Sequence, residues 1–160
     1  MPDEIVVMDT GPLILLAKIN ALPILPRLFL QYIAPPIVFE ELASGPTFGH
    51  PAVEVPWLRL VMPSSPVSAY ILASIDDGEA AVIHLALERN VRYVCLDDRR
   101  GRRMAKALGL EVFGLLGLLT RAKRKGVIQA LKPYVDNLLE AGAHYSPALV
   151  KAVLTNVNEG

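Results

Sequence analysis

Ile5-Val6-Val7-Met8-Asp9-Thr10-Gly11-Pro12 passes from strand to helix within one short stretch. Its apolar run does not alternate, which suits a strand buried on both faces, as in a parallel sheet. The run stops at an acid. Thr10 then suits the cap of a helix that carries Pro12 in its first turn. The same grammar returns at Tyr93-Val94-Cys95-Leu96, which Asp97-Asp98 closes ahead of an Arg-rich helix to Leu108.

The elements between and beyond these two follow from periodicity and breakers. A short helix is expected over Leu22 to Leu30, because Pro23 and Pro26 fit an early turn better than an interior one. Tyr32-Ile33-Ala34 reads as a strand, and Pro35-Pro36 hands over to a helix to about Ala43, stopped by Ser44-Gly45-Pro46. A loop from Thr47 to Pro56 leads to a third strand at Leu58 to Met62. Pro63-Ser64-Ser65-Pro66 breaks it ahead of a helix from Val67 to Ser74. The helix after Asp76-Asp77-Gly78 is apolar almost all round from Ala80 to Leu87, so it packs deeply. After Gly109 come a strand at Glu111-Val112-Phe113 and helices near Leu115 to Lys125, Ile128 to Glu140 and Pro147 to Asn156. This alternation predicts an α/β fold with a mainly parallel sheet of four to five strands and helices on both sides.

The chain has 160 residues, 52% of them hydrophobic, enough for one domain over 1–160 with a substantial core. The C-terminal helices, from about 128 to 156, are expected to pack on it. With 16 basic and 16 acidic residues the net charge is zero, so bulk charge selects no class of partner. The single Cys95 excludes an intrachain disulfide, and Met1 is followed by no secretory pattern, so the expected compartment is a reducing cytoplasm. No apolar run reaches membrane-spanning length. His50, His84 and His144 lack zinc spacing, and no Gly-x-Gly-x-x-Gly turn marks a dinucleotide site.

What stands out chemically is a set of acids at strand ends and helix starts: Asp9, Glu41, Glu79 and the pair Asp97/Asp98. In parallel sheets ligands bind outside the carboxyl ends of strands, where Asp9 and Asp97 fall. Carboxylates fed into one such mouth repel one another unless a cation holds them, and hard oxygen ligands favour Mg²⁺ or Mn²⁺. Each acid also has a structural use. Asp9 can cap the first helix, and Asp76 with Glu79 has capping-box spacing. Helical phase separates Glu41, at the edge of the arc set by Ile37, Val38, Phe39 and Leu42, from Glu40, which points away. Phase leaves Asp97 and Asp98 both open. Asp97 is preferred because it ends the strand, while Asp98 suits the cap of the next helix.

These residues together resemble the PIN-domain nucleases, in particular a PIN-like branch related to the VapC-type toxins of toxin–antitoxin pairs. Met8-Asp9-Thr10-Gly11-Pro12-Leu13-Ile14, with Leu16-Ala17-Lys18, is similar to that branch's first acid motif. Val38-Phe39-Glu40-Glu41-Leu42 is similar to the second, Asp77-Gly78-Glu79-Ala80 to the third, and Leu96-Asp97-Asp98-Arg99-Arg100-Gly101-Arg102 with Ala105 to the fourth. The stretch from Gly114 to Gly126 also resembles the branch, and the motifs occur in order over nearly the whole chain.

The resemblance implies a three-layer α/β/α domain and a metal-dependent ribonuclease with Asp9, Glu41, Glu79 and Asp97 as its acidic cluster. Asp9, Asp97, Glu79 and Asp98 would be the acids placed to hold Mg²⁺ or Mn²⁺, and Thr10 would add a hydroxyl or orient Asp9. It also implies RNA as substrate and an antitoxin protein as partner. One position departs from the family: Leu115 stands where a small hydroxyl residue usually follows Gly114, so any polar side-chain contact there is missing.

Arg99, Arg100, Arg102 and Arg103, with Lys106, follow the fourth acid and are the candidate path for RNA phosphates. Arg102 alternatively pairs with an acid of the cluster. Arg121, Lys123, Arg124 and Lys125 form a second basic run, but cations are favoured at a helix C-terminus in any case. Two other classes fit parts of the pattern. A phospho-receiver would place its acid pair after the first strand and a lysine after a late one, and neither is present. A catalytically silent interaction module is compatible with Leu115 and with the apolar helix from Ala148 to Leu154, which is either core or a face for a second copy of the chain.

Overall fold

The computed structural model describes residues 4–45 and 49–160. The call of Pro46 as helix stop and of Thr47 as loop start lies outside the described residues.

Apolar strands and amphipathic helices alternate from the beginning. Strand β1 (Ile5–Met8) leads into α1 (Thr10–Lys18), a 3-10 helix over Leu22–Arg27, β2 (Gln31–Ala34) and α2 (Pro36–Ala43). After a long connection come β3 (Leu58–Leu60), α3 (Ala69–Leu72), α4 (Asp77–Glu88), β4 (Tyr93–Cys95), α5 (Arg99–Ala107) and β5 (Glu111–Phe113). Helices α6 (Leu115–Arg124), α7 (Lys132–Glu140) and α8 (Pro147–Asn156) close the chain.

The five strands form one sheet in the order β3-β2-β1-β4-β5, and every pairing is parallel. With helices on its faces, the domain is three-layered α/β/α. Parallel pairing requires a crossover between neighbours, and the alternation of strands and helices supplies one each time. Val6, Val7 and Met8 in β1 and Val94 and Cys95 in β4 are fully buried, as unalternating central strands should be.

Differences from the sequence reading sit at element edges. The helix expected over Leu22 to Leu30 is a 3-10 helix that ends at Arg27; Pro26 cannot donate into an α-helical ladder. The third strand is shorter than expected, because Val61 bonds to Ala34 O and the chain then leaves the sheet. The helix expected from Ile128 begins at Lys132, with Pro133 in its first turn, where a missing N–H costs nothing. Trp57 holds the long connection to the core through an edge-on contact with Tyr32 at 5.1 Å. Among the described residues no helix is long and apolar enough to cross a membrane.

The register fixes where the acids stand. Met8 pairs with Cys95, and the Asp9 N–H donates to Cys95 O at 3.1 Å. Asp9 and Asp97 therefore leave adjacent central strands at the same sheet edge. The chain turns to β2 on one side of β1 and to β4 on the other, so this edge is the point where the strand order reverses. In open α/β sheets that point is where ligands bind.

Candidate active site

Asp9 occupies the N-cap position of α1 in an extended conformation, yet its side chain makes no capping hydrogen bond. Its carboxyl is pushed up to about 7, first by burial and then by the charges of Asp76, Glu41 and Asp97, with the Thr10 backbone N–H pulling the other way. Those three acids come from α2, the start of α4 and the end of β4, so distant parts of the chain converge on Asp9. Thr10, itself buried, donates from Oγ1 to Glu41 Oε1 at 2.8 Å. The hydroxyl thus orients Glu41 rather than Asp9. Glu40 is exposed.

Glu79 is buried in the first turn of α4, 5% exposed. Burial raises its carboxyl to about 8, and the charges of Asp76, Asp98 and Asp9 add to the effect. Its backbone N–H is taken by Asp76 Oδ1 at 2.9 Å, so half of the expected capping box forms. The Glu79 side chain lies instead against α5, where a Cβ on Gly101 would come within 2.9 Å of Glu79 Oε2. Only glycine gives the backbone of α5 room beside that carboxylate.

Asp97 and Asp98 separate by environment. Asp98 accepts from the Gly101 N–H at 3.0 Å and caps α5. Asp97 Oδ1 accepts from the Leu115 N–H, the first residue of α6, at 2.9 Å, while its Oδ2 is buried without a hydrogen-bond partner. Burial raises the Asp97 carboxyl, and the Leu115 N–H and the Arg102 guanidinium offset part of the rise. Arg102 lies over Gly114, where any Cβ would collide with its Nη1. The Leu115 side chain is fully buried in the core.

Asp76 was missed as a member of the cluster. Its capping role is real, but its charge also faces Asp9 and Glu79. The signal was present: a cap in the same turn as Glu79 opens on the same edge of the sheet. The backbone donor at Leu115 left no signal in residue types at all.

The basic residues divide. Arg99, Arg102, Arg103 and Lys106 line a groove of about 800 Å³ that reaches Asp97, whereas Arg100 turns away to donate to Ser74 O at 3.1 Å. The second run is occupied within the fold. Arg121 stacks over Phe29 at 4.6 Å, Lys123 pairs with Glu159 at 3.3 Å, Arg124 donates to Asn156, and Lys125 donates to Leu28 O at 2.8 Å.

The donor set suits a hard cation: it is all carboxylate oxygen, and the buried Oδ2 of Asp97 lacks any partner. As the side chains stand, no group of three or more His, Cys, Asp or Glu among the described residues is close enough to hold a metal ion. Mutual repulsion, which adds to burial in raising Asp9 and Glu79, also favours such separation.

A protein-family model, DUF3368, described as a PIN domain, matches residues 5–159. The chain belongs to this PIN-domain family, and membership points to a nuclease-type function. No curated protein and no solved structure matches it significantly.

Proposed function

We propose that this PIN-domain protein is a Mg²⁺- or Mn²⁺-dependent endoribonuclease of the toxin type, with Asp9, Glu41, Glu79 and Asp97 as its acidic centre. The observation that carries the reading is Asp97, with one oxygen fixed by a backbone N–H and the other buried and unsatisfied, facing an Asp9 whose carboxyl is raised by burial and then by neighbouring charge. A buried carboxylate oxygen without a partner is costly, and a cation relieves it.

Asp9, Glu79 and Asp97 are the residues that would hold the metal, with Asp98 beside them. The bound ion would polarise the phosphodiester and make water a better nucleophile. The chain's own part is positioning. The Leu115 N–H sets the direction of Asp97, and Thr10 sets that of Glu41. Asp9 and Glu79 hold protons near neutral pH until positive charge balances them. Arg99, Arg102 and Arg103 offer phosphate contacts next to Asp97.

The resemblance to VapC-type toxins extends the proposal to an antitoxin partner that covers this edge, and to action in the cytoplasm. The test is to titrate Mg²⁺ and Mn²⁺ into the protein and its Asp9→Asn variant while following metal binding and cleavage of a mixed RNA pool. Metal-dependent cleavage absent from the variant is the expected result. A wild type that binds no metal and cuts no RNA sinks the reading and leaves an interaction module.

A further inference from the structure

The groove beside Asp97 has two unlike walls. One is α5, whose Arg99, Arg103 and Lys106 stand one helical turn apart on a single face and make no ion pair or hydrogen bond among the described residues. That contrasts with the basic run of α6, where every cation is engaged. The other wall comes from the C-terminal segment: Tyr145, just ahead of α8, with Leu149 and Val153 on α8. Leu149 is 45% exposed there, and the Tyr145 hydroxyl is buried without a hydrogen-bond partner. Exposed cations are solvated at little cost, but an open apolar side chain and an orphaned hydroxyl are not, and here they share one groove with a row of cations that nothing among the described residues engages.

We infer that this groove is a nucleotide subsite for single-stranded RNA, with the sugar-phosphate chain along Arg99, Arg103 and Lys106 and one base against Leu149 and Val153, its edge hydrogen-bonded by the Tyr145 hydroxyl. The inference rests on the nuclease reading and adds to it the place where the nucleotide flanking the cut bond is held. Cations repeated at helical spacing suit a repeating anion, and the row runs directly to Asp97, where the phosphodiester would react. A base presents an apolar face and a polar edge, which is the combination the second wall lacks. An acidic, apolar peptide has related chemistry, but it has no reason to be led toward the acids.

The test uses fluorescently labelled uridine, cytidine and adenosine hexamers, with binding followed by anisotropy in EDTA and cleavage followed in Mn²⁺. The double variant Arg103→Glu/Lys106→Glu should weaken every hexamer by about tenfold or more and flatten the salt dependence. Leu149→Asp should weaken binding severalfold. Tyr145→Phe should change the ranking of the three hexamers, since a hydrogen bond to a base edge discriminates between bases whereas phosphate contacts do not. Thermal melting confirms that each variant is folded; Arg103, Lys106 and Leu149 are exposed.

Hexamer binding unchanged in all three variants overturns the subsite, and if RNA is still cleaved in Mn²⁺ the nuclease reading survives alone. Groove-dependent binding with no cleavage under any metal overturns the nuclease reading and leaves the groove as an RNA site. Displacement of the hexamers by a Leu-Glu repeat peptide, with the same sensitivity to Leu149 and Tyr145, overturns the nucleotide assignment in favour of a peptide.

Discussion

Asp97 and Leu115 lie 18 positions apart and are joined by a hydrogen bond of 2.9 Å from the Leu115 N–H to Asp97 Oδ1. A main-chain donor at the start of α6 thus holds the last acid of the cluster, while the Leu115 side chain faces the other way into the core. With leucine here, no side-chain hydroxyl is offered to the site, and Asp97 is gripped from the backbone alone.

Leu115→Ser, which puts a small hydroxyl beside Gly114, should destabilise the fold by on the order of 3 kcal/mol, because a fully buried leucine leaves a cavity and a hydroxyl takes its place. Thermal or urea unfolding measures the loss. Activity per folded molecule should change little, and a large gain would show that backbone support at Asp97 is insufficient.

Gly101→Ala places a Cβ 2.9 Å from Glu79 Oε2 and must push that carboxylate aside. The helix itself gains from alanine, so the melting temperature should hardly fall. On the nuclease reading, turnover should drop by about tenfold to a hundredfold, as expected when an acid that would position the metal is misplaced by up to ~1 Å. Unaltered kcat in the folded variant would remove Glu79 from the catalytic set.

Without metal, stability should fall as pH rises. Asp9 is raised from 3.8 to about 7 and Glu79 from 4.5 to about 8, so the folded state holds protons that the unfolded chain has released. The stabilisation is complete below about pH 4 and is lost as pH passes through 7 and 8. Asp9→Asn should match the wild type at pH 4 and exceed it by on the order of 3 kcal/mol at pH 8 in EDTA. Urea titrations at the two pH values read the difference, and Mg²⁺ should narrow it. A pH-independent difference would mean that Asp9 is not held in a strained, proton-binding state.

Arg121→Ala should destabilise the domain by about 1 kcal/mol, because its guanidinium stacks on Phe29 at 4.6 Å and on Phe113 at 5.7 Å. The salt dependence of RNA binding should stay as in the wild type, since this cation already has aromatic partners. A flattened salt slope would place α6 on the RNA path.

Much of this was legible in the residues for physical reasons. The runs Ile5 to Met8 and Tyr93 to Leu96 read as doubly buried strands because each is short, unalternating, largely β-branched or aromatic and closed by an acid, and both are strands in the fold, the second ending at Cys95. Their carboxyl ends place Asp9 and Asp97 on one edge, as the Asp9 N–H bond to Cys95 O bears out. Helical phase similarly directed attention to Glu41, which bonds Thr10, over the exposed Glu40.

Other features had no local signature. The start of α7 depended on how Glu159 reaches back to accept from the Leu131 and Lys132 N–H groups at 2.7 and 3.0 Å, a contact between distant residues. Asp76 differs in kind: its place in the same turn as Glu79 is legible, but its role as a cap looks complete and masks its charge on Asp9. Which arginines face the groove was also set by tertiary packing: Arg99 and Arg100 are adjacent in sequence, and only the former lines it.

The strand order has a consequence for the life of the chain before it is finished. Because β1 sits at the centre of the sheet, its first neighbour in synthesis is β2, while β4, β5 and the start of α6 arrive much later. Asp9 and Glu41 emerge from the ribosome long before Asp97 has a place to stand or a backbone donor to hold it. A nascent polypeptide therefore carries its first acids without the cluster, and whatever chemistry the cluster performs has to wait until the far half of the sheet has closed.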